Sequence, residues 1–172
     1  MTETINQLNP KPRVKSGRCL SYQEAVEIVM SLVDFERSTH SPEHSRFHIE
    51  RMLLLAEKTG NPHQRSATVH VAGTKGKGST AALITSILAT QGYKVGLYTS
   101  PHLHSLVERI RVGLEPITVD DFANLVEQVW PAVKIVSQDG GYGDVTTFEM
   151  LTAMAFQHFD NISVDIKVIE TG

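Results

Sequence analysis

Apolar and polar positions near the start of the chain follow helical spacing in two segments. Ser21 opens a capping-box signature, and the apolar residues after it recur three and four positions apart, which predicts a helix from about Tyr22 to Phe35. In the second segment Ser41 is a candidate N-cap, and Gly60 is the C-terminal stop. The pattern therefore predicts two consecutive helices before the first strand.

The pattern then changes to an alternation of strands and helices. A short β-branched run, SATVHVAG, is followed by the glycine-rich loop GTKGKGST, by a helical pattern that ends at Gly92, and by the apolar run KVGLYTS. Residues 68–99 are therefore predicted to form a β-α-β unit. Such a unit requires parallel strands, whose carboxyl ends form the ligand-binding edge of a sheet. The fold class predicted is α/β, with a parallel sheet of the P-loop type flanked by helices.

The second half of the chain continues the alternation. The run VERIRVGLEPI is typical of strand residues broken by glycine and proline, and Thr118 begins a helical pattern in which Pro131 predicts a kink or an early end. Thr146 opens another capping box, and the helix that it begins places Phe148, Met150 and Met154 at the spacing of core residues. A last apolar strand, VDIKVIE, ends on a carboxylate.

Composition and charge narrow the class of protein. The 172 residues are 41% hydrophobic and 20% charged, which is enough for one core. A net charge of −3 excludes a general field for nucleic acid, so any anion site must be local. The single cysteine, Cys19, favours a reducing, cytoplasmic location, and no stretch has the length of a signal peptide core or a membrane span. We expect small-molecule partners, no nucleic-acid or membrane partner, and a monomer.

The glycine-rich loop is suited to a polyphosphate, although two familiar motifs fit it imperfectly. Glycines let main-chain N–H groups approach a ligand, and Lys77 adds a mobile positive charge. The strict P-loop spacing is missed because Gly78 separates Lys77 from Ser79. The dinucleotide fingerprint is met, but Thr99 and Ser100 stand where a ribose-binding carboxylate is needed. A glycine-rich turn with solvated lysines is the alternative without a ligand.

Five segments in order, HVAGTKGKGST, YTSPHL, ERIRV, TTFEMLTAMAF and VIETG, resemble folylpolyglutamate synthase and its bifunctional relative dihydrofolate synthase, in the Mur-ligase-like superfamily. The resemblance covers roughly residues 43–172. It implies an ATP-dependent carbon–nitrogen ligase that activates a carboxylate of a folate or dihydropteroate as an acyl phosphate, which the amine of glutamate then attacks. A free-standing nucleotide-binding module or ATPase and a cell-wall Mur-type ligase are the alternatives, and the SPHL and ERIRV segments favour folate.

The resemblance also implies the roles of individual residues, with ATP and Mg²⁺ as cofactors. Lys77 is the expected catalytic residue, because it would neutralise charge on the β- and γ-phosphates. The expected ATP-binding residues are Gly73, Thr74, Lys75, Gly76, Lys77, Gly78, Ser79 and Thr80. The expected Mg²⁺ ligands are Ser100 and Glu170, and the expected folate-binding residues are Pro101, His102, Leu103 and Arg109.

Two features depart from the family pattern. Lys75 stands where the family often has asparagine, and the chain ends at Gly172, within the last motif. We therefore expect a leader and first helix in residues 1–40 and the N-terminal part of a Mur-ligase-like ATP-binding domain in residues 41–172. The C-terminal glutamate-ligase domain would be absent and the fragment inactive. His44 and His48 could supply half of a metal site, but no third ligand is evident, so helix-surface histidines are favoured.

Overall fold

The computed structural model of the protein describes residues 19–33, 48–139 and 141–171. The helices are α1 (Tyr22–Met30), α2 (Ile49–Lys58), α3 (Lys77–Thr90), α4 (Val119–Asp139) and α5 (Thr147–Asn161). The strands are β1 (Ala67–Val71), β2 (Val95–Tyr98), β3 (Ile110–Val112), β4 (Glu115–Pro116) and β5 (Ile166–Glu170). Two short 3₁₀ turns, Pro62–Gln64 and Leu106–Arg109, connect them.

The strands form one sheet in the order β1-β5-β2-β3-β4. The last strand, β5, lies parallel to both β1 and β2, so that Val71 is level with Glu170 and Tyr98 with Ile169. The carboxyl ends of these three strands therefore lie at one edge of the sheet. The α/β class is confirmed, but the sheet is mixed, because β3 is antiparallel to β2 and to β4.

Each face of the sheet carries its own core. On one face, α3 covers side chains of β1, β2 and β5, and the buried members of this small core are Val71, Ala81, Val95, Leu97 and Val168. On the other face, α1, α2, α4 and α5 form a larger core with Tyr98 and Ile169. Because neighbouring strand residues face opposite sides, the apolar run of β5 is buried on both. The prediction that Met150 and Met154 belong to the core is confirmed, since both are fully buried.

The first helix ends earlier than its apolar pattern predicts. It stops at Met30 rather than Phe35, which lies outside the described residues. Val33 instead forms a bridge with Thr146, and its carbonyl accepts a hydrogen bond of 3.0 Å from the N–H of Thr147. The extended backbone needed for this pairing excludes continuation of the helix. The predicted cap of α2 at Ser41, like His44, lies outside the described residues, and the N-cap of the described helix is His48.

Helix α4 continues through Pro131 to Asp139, so the early end, one of the two effects expected of this proline, does not occur. Proline removes one intrahelical hydrogen bond, and the buried side chains of Val129 and Val133 on either side of it keep the helix packed. Residues Val107 to Arg109 form a 3₁₀ turn rather than a strand. Its capping box, formed by Ser105 and Glu108, satisfies the N–H groups that a strand would have paired with a neighbour.

Buried charges connect distant elements of the fold. Arg51 of α2, with 2% of its side chain exposed, donates from Nε to the carboxylate of Glu149 in α5 at 2.8 and 3.0 Å. Lys167 of β5 is fully buried and donates to the carbonyls of His63 and Ser66, both at 2.9 Å. Burial lowers the pKa of the Lys167 ammonium. None of the helices in the described ranges is both long and apolar enough to cross a membrane.

Candidate functional site

The glycine-rich loop leads directly into α3, as the sequence predicts. Gly76 is the N-cap residue with φ of 73°, a left-handed conformation that favours glycine, and Lys77 is the first residue of the helix. Residues 72–76 are exposed. The first intrahelical hydrogen bond runs from the N–H of Thr80 to the carbonyl of Gly76, at 2.9 Å. The N–H groups of Lys77, Gly78 and Ser79 therefore have no acceptor within the helix, and the positive end of the helix dipole lies there.

The carboxylate of Glu170 lies against this helix start. Only 6% of Glu170 is exposed, at the carboxyl end of β5. A Cβ atom built on Gly78 would lie 3.5 and 3.6 Å from its two carboxylate oxygens. The main-chain N–H of Ser100, just beyond β2, donates to Glu170 Oε2 at 3.1 Å. The structure thus brings together Gly78, Ser100 and Glu170, which are distant in sequence.

The oxygen atoms at this point fit a hard divalent cation. The Ser100 hydroxyl is buried and, within the described part of the chain, has no hydrogen-bond partner. A buried polar atom without a partner is costly, so an unpaired hydroxyl beside a buried carboxylate is suited to a ligand. Hydroxyl and carboxylate oxygens are ligands that Mg²⁺ accepts, with water and phosphate oxygens completing its shell. Residues 19–33, 48–139 and 141–171 contain no cluster of three or more His, Cys, Asp or Glu side chains able to hold a metal.

The other predicted phosphate-binding residues surround the helix start. Gly73, Thr74, Lys75, Ser79 and Thr80 are exposed, and Gly73 has φ of 147°. The side chain of Lys77 is half-buried, and its ammonium forms no hydrogen bond or ion pair with any residue that the structure describes. The geometry therefore joins the start of α3 to Glu170 and Ser100, while a contact between the Lys77 ammonium and phosphate stays a prediction.

The predicted folate-binding residues lie on the loop that follows Ser100. The Ser100–Pro101 peptide bond is cis, Pro101 is exposed, and Leu103 is 85% exposed. Arg109, by contrast, is only 2% exposed, and its Nε donates to Nδ1 of His102 at 3.0 Å. Pro101 and Leu103 are therefore accessible to a ligand, whereas Arg109 contacts the loop itself. Their roles in folate binding stay predictions.

Glu108 organises this loop and was not singled out from the sequence. Its carboxylate accepts hydrogen bonds from the N–H groups of Leu103, His104 and Ser105 at 3.0 to 3.4 Å. These bonds, that from Leu103 first, lower the pKa of Glu108. The spacing Ser105-x-x-Glu108 is itself a capping-box signature, so the signal was present in the sequence.

Comparison with known proteins identifies the kind of protein that has this arrangement. The chain is 43% identical over 123 residues to dihydrofolate synthase/folylpolyglutamate synthase of Bacillus subtilis, covering 71% of this chain and 28% of that protein. It is 37% identical over 153 residues to folylpolyglutamate synthase of Lacticaseibacillus casei, covering 89% and 34%. The chain thus spans about a third of the length of these curated relatives. No family model matches it.

Solved structures give the same result. The crystal structure of folylpolyglutamate synthase from Thermotoga maritima matches with a TM-score of 0.75 and 37% identity, over 88% of this chain and 33% of that one. The Mycobacterium tuberculosis enzyme complexed with ADP matches with a TM-score of 0.74 and 29% identity, over 88% and 32%. A complex of folylpolyglutamate synthase (FPGS) with AMPPCP and folate matches with a TM-score of 0.75 and 38% identity, over 89% of this chain and 35% of that one. Over the residues that it shares with these proteins, the chain belongs to the folylpolyglutamate synthase and dihydrofolate synthase family.

Proposed function

We propose that this chain forms the ATP-phosphate and magnesium site of a ligase that joins glutamate to a folate or a dihydropteroate. One observation carries the proposal: the start of α3, Ser100 and Glu170 meet at the carboxyl edge of the parallel strands. Ligands of α/β sheets bind at this edge. The relatives solved with ADP, or with AMPPCP and folate, support both classes of ligand.

The phosphate groups are bound by the loop and the start of α3. The N–H groups of Lys77, Gly78 and Ser79 lack intrahelical acceptors and supply donors at the positive end of the helix dipole. The exposed residues from Gly73 onwards surround the triphosphate. The Lys77 ammonium, which no described residue pairs, neutralises charge on the β- and γ-phosphates as the γ-phosphoryl group moves.

Ser100 and Glu170 are the residues that would hold Mg²⁺. When bound, this ion supplies positive charge next to the phosphate oxygens. Gly78 leaves the space beside the Glu170 carboxylate open to a ligand, since a methyl group there would lie at ordinary van der Waals distance from both carboxylate oxygens. The N–H of Ser100 fixes one oxygen of that carboxylate and so orients the other.

The proposed reaction has two steps, a phosphoryl transfer and an acyl transfer. An oxygen of the substrate carboxylate attacks the γ-phosphorus of ATP, ADP leaves, and an acyl phosphate forms. The amine of glutamate then attacks the acyl carbon, loses a proton, and displaces inorganic phosphate to leave an amide. Pro101 and Leu103, exposed on the loop after Ser100, contact the folate or dihydropteroate. The proposal includes a cytoplasmic location, which the single cysteine supports, and small-molecule partners only, which the small net charge supports. It also includes a monomeric state in dilute solution.

Nucleotide binding tests the phosphate site on this chain alone. Lys77→Ala should weaken the binding of AMPPCP in the presence of Mg²⁺ by about 1.5 to 3 kcal/mol, the range for a charge-assisted hydrogen bond, measured by titration calorimetry. Lys134→Ala, which removes the same charge from the exposed side of α4, is the matched control and should leave affinity unchanged. Equal affinity in the Lys77 variant would mean that this lysine is merely solvated.

The magnesium ligands are tested by the same titration without the ion. Wild-type affinity for AMPPCP should fall when Mg²⁺ is omitted, whereas Glu170→Gln should bind with an affinity that no longer depends on Mg²⁺. A Glu170→Gln variant whose affinity depends on Mg²⁺ as strongly as that of wild type would exclude Glu170 as a ligand.

The ligase activity itself is tested by glutamate-dependent release of ADP with dihydropteroate or tetrahydrofolate, using the full-length gene product. Release that is independent of glutamate with both pterins would indicate an ATPase instead.

A further inference from the structure

Arg109 contacts two points of the loop that contains the candidate folate contacts, Thr99 where the loop begins and His102 within it. Its carbonyl accepts a hydrogen bond of 3.0 Å from the N–H of Thr99, at the end of β2. Its side chain, in a residue only 2% exposed, reaches back to His102 and donates from Nε to Nδ1 at 3.0 Å. The residue thus ties His102 to the strand end that also positions Ser100.

The direction of this hydrogen bond determines the protonation of the imidazole. An arginine guanidinium is always protonated and can only donate, so Nδ1 of His102 must be the acceptor and carry no proton. A neutral imidazole has one N–H group, and with Nδ1 unprotonated that group is on Nε2. His102 bonded to Arg109 can therefore donate only through Nε2.

The position of Arg109 is set by the protein and requires no ligand. It ends the 3₁₀ turn that begins at Leu106, and the next residue, Ile110, is fully buried at the start of β3. The turn is anchored to α1, since the hydroxyl groups of Tyr22 and Ser105 lie 2.9 Å apart. The guanidinium is accordingly in place before any substrate arrives, which is what preorganisation of a ligand contact demands.

We propose that Arg109 is a positioning residue that fixes His102 as the Nε2–H tautomer, so that His102 meets a pterin as a hydrogen-bond donor. Only the class of ligand rests on the proposed function. A pterin ring offers carbonyl and ring-nitrogen acceptors to such a donor. The sequence predicts that Arg109 itself contacts the folate. In this proposal Arg109 instead affects folate binding by fixing the tautomer of His102.

Imidazole nitrogen resonances test the tautomer without any ligand. In a long-range ¹H–¹⁵N correlation spectrum of the labelled chain, recorded above the ordinary histidine pKa, His102 should show an unprotonated Nδ1 and a protonated Nε2. His102→Gln assigns the signal by its disappearance. In Arg109→Met the two nitrogens should move toward the averaged shifts of a tautomer mixture. The matched control is Arg111→Met, which removes an arginine whose Nε donates to the Glu108 carbonyl at 2.8 Å, and His102 should be unchanged in it.

Either of two spectra would overturn the proposal. One is a protonated Nδ1 in the wild-type protein, a result that needs no variant and holds even if Arg109→Met fails to fold. The other is an unaltered His102 tautomer in a folded Arg109→Met variant.

A binding cycle then separates action through His102 from direct contact. We expect His102→Leu and Arg109→Met each to weaken dihydropteroate binding about tenfold, the loss of one good hydrogen bond. In the His102→Leu background, Arg109→Met should change the dissociation constant by less than about twofold, because the two residues act as one unit. Fully additive losses would mean that Arg109 contacts the ligand itself. If wild type binds neither dihydropteroate nor tetrahydrofolate, the proposed function fails, and the tautomer spectra still decide the role of Arg109.

Discussion

A single carboxylate, that of Glu108, orders the loop that carries the candidate folate contacts. Its bonds to three successive N–H groups are local, and they are lost when the carboxyl is protonated. Because the pKa of Glu108 is lowered in the folded protein, its contribution is fully present above the ordinary carboxyl pKa. The contribution disappears as the pH falls through the lowered value. Acid pH should therefore loosen the loop at residues 103–105, because it protonates Glu108.

Amide exchange should report this coupling. Protection factors at Leu103, His104 and Ser105 should be high near neutral pH and fall as the solution is acidified below the ordinary glutamate range. In Glu108→Gln, protection should be low and independent of pH over the same interval. Glu115→Gln, at an exposed position of β4, is the control and should behave as wild type. Pronounced acid sensitivity that persists in Glu108→Gln would assign the effect to another group.

At the scale of elements, the contact between β2 and α5 requires a glycine. A Cβ atom on Gly96 would lie 2.5 Å from the ring of Phe159, a distance that forces the ring or the backbone to move. Gly96→Ala should therefore lower the free energy of unfolding by about 1–3 kcal/mol through overpacking, measured by urea denaturation. Gly78→Ala, the same chemical change in α3, should leave stability equal or higher, because alanine favours helix and no contact is shorter than 3.5 Å. Equal losses in both variants would exclude the packing explanation.

The buried ion pair between α2 and α5 gives a second prediction at this scale. Arg51→Met leaves the Glu149 carboxylate without its partner in a site where only 11% of that side chain is exposed. We expect a loss of about 3–5 kcal/mol in the free energy of unfolding, the cost of an uncompensated buried charge. In the Glu149→Gln background, the same change should cost clearly less. Equal costs in the two backgrounds would show that the pair is not coupled.

Local sequence signals predicted where helices begin, whereas contacts between distant segments determine where they end and which charged side chains are buried. The capping boxes at Ser21 and Thr146 placed two helix starts correctly, because a cap involves only four neighbouring residues. The early end of α1 depends on pairing between Val33 and Thr146, which no local pattern reveals. Likewise nothing in VDIKVIE shows that Lys167 is buried, because its acceptors are carbonyls about a hundred residues earlier.

The candidate site also has one part that the sequence predicts and another that only the fold reveals. The strand, loop and helix around Gly76 follow from sequence pattern, and the carboxyl ends of parallel strands predict that Ser100 and Glu170 meet. The hydrogen bond between Arg109 and His102 was not predicted, because a loop conformation is needed to bring side chains seven positions apart together. Sequence pattern located the candidate site, and only the fold showed which of its side chains contact one another.

At the scale of the whole molecule, α3 leaves an apolar surface in contact with solvent. Leu83 and Ile87, one helical turn apart, are 65% and 62% exposed on the side away from the small core. Exposed apolar patches on a helix favour association with other surfaces. The chain should therefore self-associate at high concentration.

Sedimentation velocity tests this expectation. Leu83→Glu combined with Ile87→Lys should reduce the average mass at high concentration. It should change the free energy of unfolding by no more than about 0.5 kcal/mol, since the positions are exposed and the new pair is favourable at i, i+4 spacing. Ile84→Lys, whose side chain packs against the small core, should instead destabilise the protein. An unchanged average mass in the double variant would exclude α3 as the contact surface.

The central position of β5 determines the order in which the protein can be assembled during synthesis. Strands β1 and β2 do not pair with each other, and each pairs in parallel with β5, which lies between them. Ala67 pairs with Ile166, so nearly a hundred residues must leave the ribosome before the parallel strands can pair. Pairing over such a distance is slow compared with local helix formation. The helices consequently form first, and the glycine-rich loop acquires its Glu170 partner only after β5 has been synthesised.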